Sequence, residues 1–213
     1  MTAGEETDHR RRPRRRGAAL DEAIFQAVLD ELAEVGYARL TMEGVAERAR
    51  AGKASLYRRW PTRIELVMDA VYSRLPDPSA PPDTGSLRGD LLALLRGNAE
   101  ALAGPAGEAL RGLLSEALAG SDAIARVRRN WQGASLRITR EILRRAVDRG
   151  EIDASAVTDR RLETGHALLR YHFLFHGPPI PEHVITEIVD EVLLPLFRSP
   201  PRPPPTDPGT AGG

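Results

Sequence analysis

The stretch that decides the fold is GYARLTMEGVAERARAGKASLYRRWPTRIELV, residues 36–67. Gly36 ends an upstream run in which apolar residues recur with the spacing of one helix face. Thr41 stands directly before MEGVAERA, where its side-chain oxygen can cap a short helix. After a tight turn comes a second short segment, ASLYRRW, which Pro61 ends. The spacing predicts two short helices joined by a turn and supported by a longer helix.

The apolar positions predict how these helices pack. Small residues in the turn allow the two short helices to cross closely. Their apolar side chains are expected to pack against the first helix, in a core made of Ile24, Val28, Leu32, Val45, Ala46, Ala49 and Leu56. Thr62 and Glu65 have the spacing of a capping box, which predicts a fourth helix over 62–75. Residues 17–63 are therefore predicted to form a helix-turn-helix domain of three helices.

The rest of the chain is also helical in pattern. Helical periodicity runs through its proline-free stretches, and no segment alternates as a half-buried strand would. Gly150 is expected to end a long helix, and further helices are predicted over 159–176 and along the apolar stripe from Val184 to Leu196. We predict an all-α protein of about nine helices, in which the N-terminal domain precedes a helical bundle over 84–198.

Proline and arginine mark the segments outside these two domains. Residues 76–86 have the composition of a loop, and residues 199–213 that of a disordered tail. Residues 1–16 contain six arginines between Arg10 and Arg16 and are expected to form a disordered basic arm. Such an arm either enters a DNA minor groove or follows phosphates, or it is an unstructured solubilising tail.

Composition excludes several classes of protein. The hydrophobic fraction of 41% and the charged fraction of 28% are those of a globular chain with a core. The absence of cysteine excludes disulfides, thiolate zinc sites and cysteine nucleophiles. No apolar run is long enough for a membrane span, so a cytoplasmic protein is expected. His172 and His176 lack a third ligand nearby, so partial burial at a subunit interface is preferred over a metal site, and no cofactor is expected.

The charges of the chain sum to zero but are unevenly distributed. Residues 1–63 contain 13 Lys+Arg and 10 Asp+Glu, whereas the remaining 150 contain 17 and 20. The second short helix is expected to present hydrogen-bond donors outward, namely Lys53, Ser55, Tyr57, Arg58 and Arg59. Lys and Arg pair with phosphate or guanine, and a Tyr hydroxyl donates to phosphate. The pattern indicates a DNA-binding face, with a solvated surface from an arginine-rich composition as the alternative.

The same stretch resembles the N-terminal domain of TetR-family transcriptional regulators. The matching positions follow in order without a gap: Gly36-Tyr37, Thr41, Val45-Ala46, Leu56-Tyr57, Trp60-Pro61 and Thr62-Arg63. The AVDRGEID segment, residues 146–153, and the last two helices are similar, more loosely, to the family's ligand-binding and dimerisation region. The resemblance implies a homodimeric, nucleoid-associated repressor. It would bind a pseudo-palindromic operator in double-stranded DNA and be released by an unknown small-molecule effector.

The resemblance also implies which residues contact DNA. Lys53 stands where the family contacts phosphate or a base, Tyr57 matches a phosphate contact, and Thr41 matches a helix cap that touches the DNA backbone. Arg63 replaces the usual Lys. Arg50 replaces a common Gly, so either the turn is shaped differently or Arg50 is an additional phosphate contact. The full predicted set is Thr41, Arg50, Lys53, Ala54, Ser55, Tyr57, Arg58, Arg59 and Arg63.

Two further sets of residues are predicted in the C-terminal bundle. A ligand pocket is expected to involve Trp131, Leu95, Leu114 and Ile138, although core packing is the preferred role of Trp131. The dimer interface is expected to involve Leu169, Phe173, Ile188, Val192 and Leu196. The alternative function is a helical ligand-binding or adaptor protein that no longer binds DNA. An enzyme is not expected, because no catalytic cluster is visible in the sequence.

Overall fold

The computed structural model describes residues 12–75, 79–118 and 136–199, and within these ranges every regular element is helical. The all-α prediction is confirmed, and the nine α-helices of the described ranges match the predicted number. Their bounds are Arg12–Val35 (α1), Met42–Arg48 (α2), Lys53–Arg59 (α3), Arg63–Tyr72 (α4), Leu87–Ala103 (α5), Pro105–Leu118 (α6), 136–148 (α7), Asp159–His176 (α8) and, for α9, Glu182–Glu187 continued by a π-helical turn at Ile188–Leu193 and by Leu194–Arg198. Short 3-10 turns lie at Tyr37–Arg39 and Ala154–Ala156.

The chain divides into two compact units. Of the described residues, the first contains 12–75 and 98–118, and the second contains 79–97 and 136–199. In the first unit α1 packs against α2, α4 and α6. The predicted core of the helix-turn-helix is confirmed, because the following side chains are 0 to 2% exposed: Ile24, Val28, Leu32, Val45, Ala46 and Leu56. These helices therefore share one hydrophobic core, which positions α3 on the surface of the unit.

Capping residues set the ends of the helices in the first unit. Gly36, with φ of 76°, follows the last residue of α1. The Thr41 side-chain oxygen accepts a hydrogen bond from the backbone N–H of Gly44 at 3.0 Å. Thr62 and Glu65 form both hydrogen bonds of the predicted capping box. A helix as short as α2 is not stable alone, so its cap and its packing between α1 and α3 maintain it.

A turn at Gly150 ends α7 in the second unit and contacts the start of α5. Gly150 has φ of 74°, and its N–H donates to the Val147 carbonyl at 2.9 Å. The N–H of Glu151 donates to the Ala146 carbonyl at 2.9 Å, which completes a Schellman motif and confirms the predicted helix end. The Glu151 carboxylate then accepts from the backbone N–H of Leu87 at 2.9 Å. Glu151, in the turn after α7, therefore accepts a hydrogen bond from a backbone N–H at the start of α5 that has no partner within its own helix.

The predicted boundary of the N-terminal arm is wrong. Because α1 begins at Arg12, residues 12–16 are helical and do not belong to a disordered arm. Arginine is a good helix former, and Pro13 falls in the first turn, where proline is tolerated. Residues 1–11 of the predicted arm lie outside the described residues, as does the predicted tail from 200 onward.

The predicted start of the C-terminal domain at residue 84 also differs from the structure. That boundary assigns α6 to the bundle, whereas α6 adds Ala106, Ala109 and Leu113 to the core of the first unit. The difference arises because the apolar stripe of α6 does not indicate which helices it packs against. None of the described helices combines the length and the apolar composition needed to cross a bilayer.

Candidate nucleic-acid interface

Two buried side chains hold α3 against the rest of the first unit. Leu56 is 0% exposed, and Trp60, directly after the helix, is 6% exposed. The Trp60 indole Nε1 donates to a carboxylate oxygen of Asp69 in α4 at 2.8 Å. The Phe25 ring of α1 meets the indole edge-on, with ring centroids 5.6 Å apart. These contacts fix the orientation of α3 and direct its other face to solvent.

The outer face of α3 presents most of the predicted DNA-contacting residues. Lys53, Ala54 and Arg58 are exposed, Tyr57 is 43% exposed, and Ser55 is half-buried. Neither Lys53 nor Arg58 has an ion-pair partner within the part of the chain that the structure describes. Cations without an internal partner are available to bind phosphate oxygens or guanine.

Thr41 and Tyr57 lie close to an acidic residue that sequence reasoning missed. The Tyr57 hydroxyl donates to Glu43 Oε1 at 3.0 Å, and Glu43 lies in the first turn of the helix that Thr41 caps. This bond raises the pKa of Tyr57, so the hydroxyl stays protonated. A hydrogen bond from its own backbone N–H, followed by the bond from Tyr57, lowers the pKa of Glu43. No sequence pattern pairs these residues, because they lie on different helices.

Two of the predicted DNA-contacting arginines have partners within the first unit. Arg59 forms an ion pair with Asp21 of α1. The Arg63 guanidinium lies 4.6 Å from the centroid of the Tyr37 ring, in a cation–π arrangement. It also donates to the carbonyl oxygens of Tyr37 and Leu40 at 3.4 and 3.3 Å. Both arginines connect helices of the unit, and their contact with DNA stays a prediction.

The turn between α2 and α3 keeps its shape although it contains an arginine. Arg50 has φ of 51°, in the left-handed region that favours glycine. Its N–H donates to the Glu47 carbonyl at 3.1 Å, and the N–H of Ala51 donates to the Ala46 carbonyl at 2.9 Å. This is the hydrogen-bond pattern found at Gly150, so the differently shaped turn considered above is not observed. Arg50 is exposed, and its contact with phosphate stays a prediction.

Substitutions of Arg50 distinguish the effect of its backbone strain on stability from the effect of its charge. We expect Arg50→Gly to raise the free energy of unfolding by about 0.5–1 kcal/mol, because glycine adopts a left-handed conformation without the steric cost. Arg50→Ala removes the same charge and keeps the strain, so it should be no more stable than the wild type. Urea unfolding measures the free energy of unfolding of both variants. Equal stabilisation of the two would contradict a strained backbone at this position.

The residues predicted to line a ligand pocket do not converge on one cavity. Leu95 lines a small, partly open cavity of about 10 Å³ in the second unit. Ile138 is buried in the same unit but does not line that cavity, and Leu114 is half-buried in the first unit. Trp131 lies outside the described residues. Long-range packing decides which residues share a cavity, and apolar periodicity in the sequence does not specify that packing.

Three of the residues predicted for the dimer interface are instead buried within the chain. Leu169, Phe173 and Ile188 are 1, 0 and 7% exposed. An apolar stripe is equally typical of a core and of an interface, and here α8 and the π-helical turn of α9 pack against each other. Val192 is 37% exposed and Leu196 is half-buried, so these two remain accessible at least in part.

Two of the histidines of α8, His172 and His176, lie side by side near its end. The ring centroids of His172 and His176 are 4.6 Å apart. Burial, and then the neighbouring His176 and His183, lower the pKa of His172, which favours its neutral form. Among the described residues, no group of three or more histidine or acidic side chains is arranged to hold a metal ion.

A helix-turn-helix whose second helix exposes cations and hydrogen-bond donors defines a class of DNA-binding proteins. Two family models match this chain. Residues 24–70 match "Bacterial regulatory proteins, tetR family", and residues 81–192 match "Tetracyclin repressor-like, C-terminal domain". The chain belongs to the TetR family, and it is a DNA-binding transcriptional regulator.

Individual relatives agree with this assignment over most of the chain. A DNA-binding transcriptional repressor TetR of Mycobacteroides abscessus is 36% identical over 188 residues, which are 86% of this chain and 96% of the relative. An uncharacterised HTH-type transcriptional regulator of Mycobacterium tuberculosis is 34% identical over 179 residues, with 83% and 87% covered. The crystal structure of TetR family transcription regulator SCO0332 is similar with a TM-score of 0.68 at 28% identity, covering 82% of this chain and 96% of that chain. The resemblance stated from the sequence is confirmed.

Proposed function

We propose that this chain is a homodimeric transcriptional repressor that a small-molecule effector releases from its operator. The observation that carries the proposal is an α3 helix held by Leu56 and Trp60 with Lys53 and Arg58 exposed on its outer face. Repression is supported by the relative named as a DNA-binding transcriptional repressor. In a two-fold dimer, two copies of α3 would contact the two halves of a pseudo-palindromic operator in successive major grooves.

An exposed apolar surface on α8 and α9 supports the homodimer. Its members are Tyr171, Leu174, Phe175 and Val192, which are 58, 42, 71 and 37% exposed. The rings of Tyr171 and Phe175 pack together with centroids 4.8 Å apart. Clustered apolar side chains on a surface mark interaction sites, and a second copy of the chain would present the same surface to the first. The proposed interface is thus next to the predicted one, on the outer side of the same helices.

Phe175→Glu is expected to convert the dimer to a monomer. The substitution would bring two like charges into an apolar interface, one from each subunit, and leave both of them without a partner. Sedimentation velocity at micromolar concentration measures the change in mass. Ala103→Glu is the control, because Ala103 is exposed at the end of α5 in the first unit. A Phe175→Glu variant that sediments as the wild type does would contradict the proposed interface.

The site proposed for the effector is a small, partly open cavity of the second unit, whose lining suits a ligand with an apolar body and one hydrogen-bonding group. Its apolar lining consists of Leu91, Leu94, Leu95, Leu162, Leu193 and Phe197. Its polar lining includes Thr139 and His166, both buried, whose Oγ1 and Nε2 atoms are 3.1 Å apart. At about 10 Å³ the cavity has room for about one water molecule. An effector would therefore bind an enlarged conformation, and it would release DNA only if the DNA-bound conformation binds it less well.

Selection of bound fragments from the source genome tests the proposed function. The wild type should retain a small set of fragments, and adding it to transcription reactions on those fragments should reduce transcript yield. A ligand that enlarges the cavity should restore both free DNA and transcript. A protein that binds ligand but retains no fragment would instead be a ligand-binding or adaptor protein, and an increase in transcript would identify an activator.

A further inference from the structure

An acidic side chain lies on the surface that is expected to meet DNA. Glu43 is exposed in the first turn of α2, and its Oε1 accepts the hydrogen bond from the Tyr57 hydroxyl of α3 at 3.0 Å. Thr41, which caps the same helix, and Tyr57, which donates to Glu43, are both predicted to contact phosphate. A carboxylate placed there repels phosphates and weakens binding to DNA of any sequence. A role in phosphate binding therefore does not explain Glu43.

Glu43 interacts with its own backbone N–H, the Tyr57 hydroxyl and the charge of Lys53, and these interactions stabilise the first unit, but none of them is an ion pair that neutralises its charge. Elsewhere in the first unit, acidic side chains neutralise arginines, as Glu31 and Glu34 of α1 do for Arg48 of α2. Glu43 forms no ion pair within the described residues, and its side-chain hydrogen bond to another helix is the one from Tyr57. Its charge is therefore held in position and left available on the outer surface.

We propose that Glu43 is a specificity-determining residue of the DNA interface, where its carboxylate accepts a hydrogen bond from the N4 amino group of a cytosine in the major groove. A carboxylate pairs with this donor, whereas on adenine the N6 donor lies beside the N7 acceptor, which repels it. On a sequence without the cytosine, the carboxylate meets acceptors or phosphate and loses its hydration without compensation. The assignment rests on the proposed function, because it requires the helix-turn-helix to enter the major groove.

Tyr57 is a positioning residue in this arrangement. Its hydroxyl donates to one oxygen of the carboxylate and limits the rotation of the Glu43 side chain. Because the two residues belong to different helices, the hydrogen bond also fixes the distance between the acceptor and the outer face of α3. Positioned acceptors discriminate between bases better than mobile ones, since less conformational freedom is lost on binding.

The test compares Glu43→Gln with Glu47→Gln in selections from a randomised duplex library. Glu47 is exposed on the same helix and carries the same charge, but Tyr57 donates to Glu43 and not to Glu47. The wild type should select a C·G pair in each half-site. Glu43→Gln should lower discrimination at that pair at least about fivefold and shift it toward A·T, because glutamine pairs with adenine. Glu47→Gln should keep the wild-type preference, and both variants should bind a scrambled duplex more tightly than the wild type does.

Several outcomes would overturn the assignment. A Glu43→Gln variant that selects the wild-type half-site with undiminished discrimination excludes a base contact, and so does an equal loss in Glu47→Gln. Tyr57→Phe should relax the preference at the same pair, and an unchanged preference there would refute the positioning role. If the wild type selects no sequence at all, the proposed function fails first and this assignment fails with it. Neither glutamate is in a core, so the variants are expected to fold.

Discussion

Gly112→Ala is expected to lower the free energy of unfolding by about 3 kcal/mol and to reduce the fraction of protein able to bind DNA. A Cβ added to Gly112 of α6 would lie 2.2 Å from two ring carbons of Tyr37 and 2.5 Å from its Cβ. Tyr37 is 3% exposed and its ring lies against the guanidinium of Arg63 at the start of α4. The ring therefore has no free space into which to move, and relief of the clash requires α6 to separate from the helix-turn-helix.

Gly104→Ala is the matched control for this substitution. A Cβ at Gly104 would have the Ala101 carbonyl oxygen at 3.8 Å as its nearest neighbour, which is an ordinary contact. The free energy of unfolding of Gly104→Ala should stay within about 0.5 kcal/mol of the wild-type value. Thermal or urea unfolding of both variants measures the difference. Equal unfolding midpoints for Gly112→Ala and the wild type would show that close packing of α6 on Tyr37 does not support the DNA-binding unit.

The double variant Lys53→Ala/Arg58→Ala is expected to weaken operator binding about thirtyfold or more. Each cation should contribute about 1–3 kcal/mol to binding, and distant contributions add approximately. Because neither side chain has an ion-pair partner within the described ranges, their removal leaves no carboxylate unpaired, and the fold should keep its stability. Fluorescence anisotropy with a selected operator measures the affinity. Each lost phosphate contact should also reduce the slope of log affinity against log salt by about 1.

The matched control removes two positive charges from the second unit. Arg137 and Arg160 are exposed on α7 and α8, and the side chain of Arg160 is 92% exposed although it pairs with Glu163 at 3.0 Å. Arg137→Ala/Arg160→Ala has the same change in net charge but should bind the operator nearly as tightly as the wild type. If both double variants lose affinity equally, the charges act at long range and α3 does not contact DNA. The mass measured by sedimentation velocity should be unchanged in both double variants.

The ends of the helices could be predicted because nearby residues determine them. Thr41 and Thr62 cap helices through hydrogen bonds to backbone N–H groups three positions later. Gly36 and Gly150 adopt a positive φ at helix ends, which glycine does without steric cost. The helix-turn-helix was also predictable, since its core depends on apolar spacing within one short stretch. Its resemblance to a known family added the expectation that α3 contacts DNA, which spacing alone does not provide.

Features that join distant parts of the chain could not be predicted from the sequence. Apolar periodicity identifies Leu169 and Phe173 as inward-facing, but a core and a dimer interface require the same residue types. The bond between Tyr57 and Glu43 joins two helices whose crossing determines the distance, and no local pattern encodes it. For the same reason the predicted pocket combined residues that lie in different units.

The proposal that α3 enters the major groove is tested most directly by titrating the wild-type protein with fragments of the genome that encodes it. At low ionic strength every duplex should be retarded weakly, because cations bind phosphate regardless of sequence. At physiological salt a few fragments should stay bound with a Kd of about 10⁻⁸ to 10⁻¹¹ M, and Lys53→Ala/Arg58→Ala should release them. A wild-type protein that retards no fragment even at low ionic strength would contradict the assignment of α3 as a DNA-binding helix.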